Sequence, residues 1–188
     1  MRRICVYCGS SAGAHSDYAD AARELAAVLT GHEIELVYGG ASVGTMGILA
    51  DAVLEHGGKV HGVIPKMLEE KEIAHQGLTE LHVVSSMHAR KSMMAALSDG
   101  FVAMPGAFGT LEEIIEVLTW GQLRFHDKPC GLLNVRGYFD KLLAFFDHTL
   151  SEGFLRAENR SMLLCDTTPT GLIQKFERYS APHVDKWQ

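Results

Sequence analysis

Three short stretches of this sequence combine small residues with groups able to hold an anion: CGSSAG at residues 8 to 13, GGASVGTMG at 39 to 47 and PGAFGT at 105 to 110. Each follows an apolar run and leads into a segment with helical spacing. Glycines let the backbone approach a ligand closely, and the helix start that follows carries the positive end of its dipole. Such loops suit phosphate, so Gly9, Ser10, Ser11, Gly39, Gly40 and Gly44 are phosphate candidates together with the 105 to 110 loop. One such loop alone reads equally well as a tight strand-to-helix turn; three on one edge favour an anionic ligand.

The other groups able to do chemistry flank these loops. Residues 85 to 92, SSMHARKS, put His88, Arg90 and Lys91 into the first turns of a segment for which Ser86 is a suitable N-cap. The helix dipole favours acids there, so the usual explanation is a solvated basic face; a place at the ligand edge makes substrate binding the rival. Thr110 and Glu113 form T-x-x-E, the capping-box spacing, which offers Glu113 a structural task. Glu112, Glu113 and Glu116 lie off the apolar face drawn by Leu111, Ile114, Ile115 and Leu118. A carboxylate directly after a phosphate-type loop would also sit where charge develops on a bound sugar, and spacing alone leaves both roles open.

The elements that must position these groups alternate. Apolar runs at 4–8, 34–38, 59–64, 80–85, 100–104, 130–135 and 162–165 predict strands. Helical spacing occupies 18–30, 44–56, 87–97, 111–123, 138–151 and 170–179. This order predicts an α/β fold with a parallel sheet of about seven strands and helices on both faces, in which ligands bind beyond the carboxyl ends of the strands. A dinucleotide site is disfavoured: no loop spells G-x-G-x-x-G, no G-K-[ST] occurs, and the second and third strands end in Tyr38–Gly39 and Ile64–Pro65 without an acid for the ribose.

With 188 residues, 47% of them hydrophobic, the chain reads as one domain over 1–180 followed by a polar tail over 181–188. The formal charge of -6 and dispersed Lys and Arg argue against a nucleic-acid partner. No apolar run has the length to span a bilayer, and Ile4 to Cys8 is too short for a signal peptide, so a cytoplasmic location is expected. Cys5 and Cys8 are spaced C-x-x-C on a predicted strand, where they point to opposite faces and cannot share a metal or a disulfide. All four cysteines are therefore expected reduced, and with no helical H-x-x-x-H pair, no metal is expected.

Read together, SMHARKSMMAALSDGFVAMPGAFGTLEEIIEVLTWGQL, the CGSS and VYGGASVGTMG stretches and HDKPCGLLNVRGYF resemble the LONELY GUY (LOG) family of cytokinin riboside 5'-monophosphate phosphoribohydrolases, in order and over nearly the whole chain. The family motif P-G-G-x-G-T-x-x-E stands here as PGAFGTLEE, with Ala107 in place of the second glycine. The resemblance implies a modified Rossmann fold, a homodimer or an assembly of dimers, and hydrolysis of the N-glycosidic bond of a purine nucleoside 5'-monophosphate without a cofactor. It implies catalytic roles for Arg90 and Glu113 and substrate contacts at Glu72, Lys91, Gly106, Ala107, Phe108, Gly109, Thr110, Leu111, Glu112 and Thr119. An older lysine decarboxylase label attached to part of the family finds no pyridoxal phosphate lysine motif in this sequence. Two other readings keep the nucleotide-type loops: a binding or signalling module without catalysis, and a carrier related to molybdenum-cofactor carriers.

Overall fold

The computed structural model describes residues 1–69 and 74–182. Among them, seven strands form one parallel sheet: β1 (Arg3–Tyr7), β2 (Glu35–Tyr38), β3 (Val60–Pro65), β4 (Glu80–Val84), β5 (Gly100–Ala103), β6 (Cys130–Leu133) and β7 (Leu163–Asp166). Their spatial order is β4-β3-β2-β1-β5-β6-β7. The chain first builds outward from β1 to one edge and then returns to build outward from β5 to the other. β1 and β5 are hydrogen-bonded neighbours, with Tyr7 opposite Ala103. The loops leaving these two strands therefore diverge, which opens a crevice at the carboxyl end of the sheet.

Strand alternation assigns the two cores. On β1, Ile4 and Val6 face a core shared with α1 (Ser16–Gly31), α2 (Gly44–Glu55) and α8 (Pro169–Glu177). Cys5 and Tyr7 face the opposite core, built with α4 (Met87–Leu97), α5 (Phe108–Gln122) and α6 (Asp140–Ser151). Cys8 lies on the α1 side, so the C-x-x-C sulfurs do point to opposite faces, and all four cysteines are free thiols. Burial pushes Cys8 and Cys130 up to about 12, as expected of inert core thiols.

The expected strands and long helices are all present, with shifted ends. Two short helices, α3 (Lys66–Glu69) and α7 (Ala157–Ser161), and a single 3-10 turn at Val135–Gly137 carry too few residues to show a helical period. The consequential shift is at α5. Ala107 is its N-cap, with φ -96 and ψ -152, so Thr110 is the third helical residue and not the cap. The capping-box reading of Thr110 and Glu113 is overturned, because the helix starts three residues before the spacing rule places it. Ala107 has an extended backbone that any L-residue adopts, so its methyl introduces no backbone strain. Of the tail expected over 181–188, only 181 and 182 are among the described residues. No helix among those residues is long and apolar enough to cross a membrane.

Candidate active site

The crevice between the β1 and β5 loops contains a cavity of about 230 Å³. Gly9, Ser10 and Ser11 form one wall, Pro105, Gly106 and Ala107 the other, and Tyr18, Thr45 and Tyr138 close it. Close packing of the loops shapes it. Thr45 Oγ1 donates to Gly9 O at 3.0 Å, and Gly44, at φ +61, lies so close to the Ser10–Ser11 backbone that a Cβ would collide with it. Tyr138 Oη donates to Gly106 O at 2.7 Å and so holds the start of α5 to the turn after β6. No side chain caps α5, so its first N–H groups, which lack intrahelical acceptors, are left for solvent or an anion. By contrast, Ser86 Oγ accepts from Ala89 N in α4 and Thr168 Oγ1 from Gly171 N in α8.

Gly39 and Gly40 of the second loop serve elsewhere. Gly39 offers its carbonyl to Arg90, and a Cβ on it would collide with Arg90 Nη2. Gly40, at φ +79, packs against Leu81 and Ile64 and accepts a bond from His75 N. Thus Gly9, Ser10 and Ser11 line the cavity, whereas Gly39, Gly40 and Gly44 shape the surrounding loops.

Arg90 and Lys91 are both buried, which overturns the expectation of a solvated basic face; of that cluster, His88 is exposed. Arg90 Nε donates to Val63 O at 3.1 Å and Nη2 to Gly39 O at 3.0 Å, so the guanidinium is held by the carboxyl ends of β2 and β3. Among the described residues it forms no ion pair with a carboxylate. A buried cation without a counter-ion is costly unless a ligand supplies the charge. Lys91 differs: its Nζ donates to Glu112 Oε1 at 2.5 Å and Glu116 Oε1 at 3.0 Å. Burial alone would lower Lys91, but the two carboxylates overcome it and hold the ammonium above its usual range.

Glu113 sits one turn into α5, partly buried, and accepts no hydrogen bond among the described residues. Burial pushes its carboxyl up to about 7; Arg90 and Lys91 oppose the shift, and Glu112 and Glu116 add to it. Tyr7 and Cys5 on β1 lie within electrostatic range of it and are themselves kept protonated chiefly by burial. The site thus offers a carboxyl that exchanges its proton near neutrality beside a fixed, unpaired guanidinium.

A family model described as possible lysine decarboxylase matches residues 46–176. A probable cytokinin riboside 5'-monophosphate phosphoribohydrolase of Oryza sativa subsp. japonica, LOGL2, is 51% identical over 97% of this chain and 75% of its own length. The cytokinin riboside 5'-monophosphate phosphoribohydrolase LOG3 of Arabidopsis thaliana is 48% identical over 97% of this chain and 85% of its own. The chain belongs to the LOG family. Among solved structures, the molybdenum cofactor carrier protein of Chlamydomonas reinhardtii superposes with a TM-score of 0.72 at 22% identity, covering 94% of this chain and 96% of that one. That likeness is one of fold alone.

In this LOG-family chain the remaining residues named from sequence fall into three groups. Phe108 and Gly109 stand at the open start of α5, with Phe108 91% exposed, while Thr110 and Leu111 turn inward, Thr110 Oγ1 lying against the Cα of Gly106. Thr119 bonds to Ile115 O and lies eleven residues along α5 from Phe108, about 16 Å at the helical rise, so it does not reach the crevice of its own chain. Glu72 lies outside the described residues. Sequence reasoning missed Tyr18, Thr45 and Tyr138 as cavity walls; the one available signal was the glycine directly before Thr45 and Tyr138, and Tyr18, inside α1, had none.

Proposed function

We infer that this chain hydrolyses the N-glycosidic bond of purine nucleoside 5'-monophosphates, the cytokinin riboside 5'-monophosphates and AMP among them, releasing the free base and ribose 5-phosphate. The observation that carries the reading is that Arg90 and Glu113 lie within electrostatic range of one another: a buried guanidinium without a carboxylate partner and a carboxyl raised to about 7 by burial. A nucleotide with its phosphate in the cavity at the uncapped start of α5 would direct its ribose toward Glu113, one turn further along the helix, and its base toward Arg90 on the β2–β3 side.

As the bond from the anomeric carbon to the base nitrogen breaks, its electron pair goes to the base and positive charge grows on the sugar. Arg90, fixed by two backbone carbonyls, stabilises the departing base. Ionised Glu113 stabilises the sugar cation and takes a proton from the water that attacks it, a task suited to a carboxyl titrating near 7, and that proton returns through solvent to the released base nitrogen. The phosphate anchors the substrate, and part of its binding energy goes into orienting the bond for cleavage. Lys91, Glu112 and Glu116 position α4 against α5.

The same reading makes the active unit a homodimer or an assembly of dimers in the cytoplasm. Thr119 would then meet substrate only across a subunit boundary, from a neighbouring copy. The four free thiols suit a reducing compartment. Met94 of α4 belongs to the core, whereas Phe125 and Phe154 are 75% and 89% exposed. Light scattering at micromolar concentration is expected to give at least a dimer mass.

The deciding experiment is incubation with AMP and with adenosine, followed by chromatography of the products. Adenine and ribose 5-phosphate are expected from AMP and no adenine from adenosine, because the nucleoside lacks the anchoring group. No release from AMP or its N6-substituted forms would favour the binding-module reading, and equal rates on adenosine and AMP would remove the phosphate role from the cavity.

A further inference from the structure

The pairing of β3 with β4 brings His61 beside two groups that stand two residues apart on β4, Glu80 and His82. Parallel pairing sets His61 opposite Glu80 and Val63 opposite His82, so His61, Glu80 and His82 share one face of adjacent strands. One ligand atom from each lies within 4.8 Å of the other two. His61 Nδ1 is 3.4 Å from Glu80 Oε2, and His82 Nε2 is 3.5 Å from the same oxygen. Neither contact is a hydrogen bond: His61 Nδ1 and His82 Nε2 are buried and have no partner. The His61 side chain is only 6% exposed, so its unpaired nitrogen is a costly feature for the fold to carry.

The other face of His61 explains which nitrogen is free. Its Nε2 lies 2.9 Å from Glu35 Oε2, the oxygen that also accepts from Arg3 Nε at 2.7 Å. An ionised carboxylate only accepts, so Nε2 carries a proton, and in the neutral imidazole Nδ1 then presents its lone pair to Glu80. Two electron-rich atoms then face each other across a gap that calls for a cation. In a tetrahedral zinc site with ligands at about 2.0–2.1 Å, adjacent ligand atoms are about 3.3–3.4 Å apart. The two measured separations fall close to that edge length.

We propose that His61 Nδ1, His82 Nε2 and Glu80 Oε2 bind a divalent transition-metal ion of the zinc type, which fastens the edge strand β4 to β3. Two imidazoles and one carboxylate are a donor set suited to zinc, with solvent as the fourth ligand beside the exposed Glu80. Glu35 and Arg3 form the outer support, a carboxylate orienting a metal-binding histidine. None of the three groups lines the cavity of the crevice, so zinc binding can fail or succeed without deciding the hydrolase reading, although His82 stands opposite Val63, whose carbonyl accepts from Arg90. The sequence rule that looks for paired histidines on a helix misses a site assembled across two strands.

The test is calorimetric titration of chelator-treated, tag-free protein with zinc ion, alongside His82→Ala and Glu80→Gln. These two positions are partly exposed on an edge strand, so both variants are expected to fold, which circular dichroism checks; His61 is too buried to serve. One zinc per chain is expected, with affinity lowered at least about tenfold in His82→Ala and an X-ray absorption spectrum showing imidazole nitrogen at about 2.0–2.1 Å. Zinc should raise the melting temperature of the natural chain and not of His82→Ala. The proposal is overturned by no binding, or by equal affinity in the natural chain and His82→Ala, which would leave a proton as the cation between His61 and Glu80.

Discussion

Two charge clusters bridge α4 and α5, and their cations are adjacent in sequence. Lys91 is matched by Glu112 and Glu116, whereas Arg90 has backbone carbonyls for partners and faces Glu113 without pairing to it. The cation of the first cluster is fully matched, although Glu116 keeps its second oxygen, Oε2, buried without a hydrogen-bond partner. The second holds a guanidinium fixed in direction and a carboxyl that burial keeps from ionising until about pH 7. Matched charges stabilise an interface between helices; unmatched ones at the mouth of a crevice are available to a substrate.

The sharpest way to break this contrast is Glu113→Gln, expected to lower base release from AMP by about 10²–10⁴-fold while AMP affinity stays within about tenfold. In the natural chain the rate should rise with pH through a midpoint near 7, since the carboxylate is the working form. A flat pH profile, or turnover retained in the glutamine variant, would move Glu113 into the structural cluster. Arg90→Lys keeps the charge but loses the planar fork that bonds to Val63 and Gly39, and a rate loss of about 10²–10³-fold is expected. Near-normal kinetics would reduce Arg90 to a source of positive charge.

The next effect concerns stability. The unfolded Glu113 carboxyl ionises near 4.5 and the folded one near 7, so between these values the unfolded state releases a proton that the folded state keeps. Stability should therefore fall as pH rises across that window, by at most about 3 kcal/mol. Denaturant titrations at pH 5 and pH 8 should show this fall in the natural chain and a smaller one in Glu113→Gln. A site that is costly to the fold and needed for turnover is what the unmatched cluster implies.

Lys91→Met tests the matched cluster. It is expected to cost about 1–3 kcal/mol, a range kept modest because Glu112 is 54% exposed and screened by solvent, with turnover changed less than tenfold. A collapse of turnover in a stably folded variant would mean that Lys91 touches substrate after all. The smallest effect belongs to Ala107→Gly. With φ at -96 the alanine is unstrained, so the glycine should hold or modestly raise the rate and shift stability by less than about 1 kcal/mol. Loss of activity would mark the methyl as a contact fitted to a different ligand.

The alternation of apolar runs and helical spacing was enough to predict a parallel sheet, because burial on both faces of each strand and crossover by helices leave periodicities that are local in the chain. The cavity walls at Gly9, Ser10, Ser11 and Gly106 were legible for the same reason: a glycine-rich turn between strand and helix is a local signal. The start of α5 was less so, since Ala107 has no capping side chain to mark it and the T-x-x-E spacing pointed three residues too far on.

The order of elements, the loops at one edge and the presence of Arg90, Lys91 and three glutamates near them are written in the chain itself. Which of these charges are matched, the burial of Arg90 and Lys91, and the proton that Glu113 holds to about 7 arise only on folding. The division follows from physics. Strand and helix patterns depend on neighbours a few residues away, but the charge state of a group is set by desolvation and by partners that arrive from other elements. Val63 and Gly39 at Arg90, or Glu80 and His82 beside His61, become neighbours only when the strands pair.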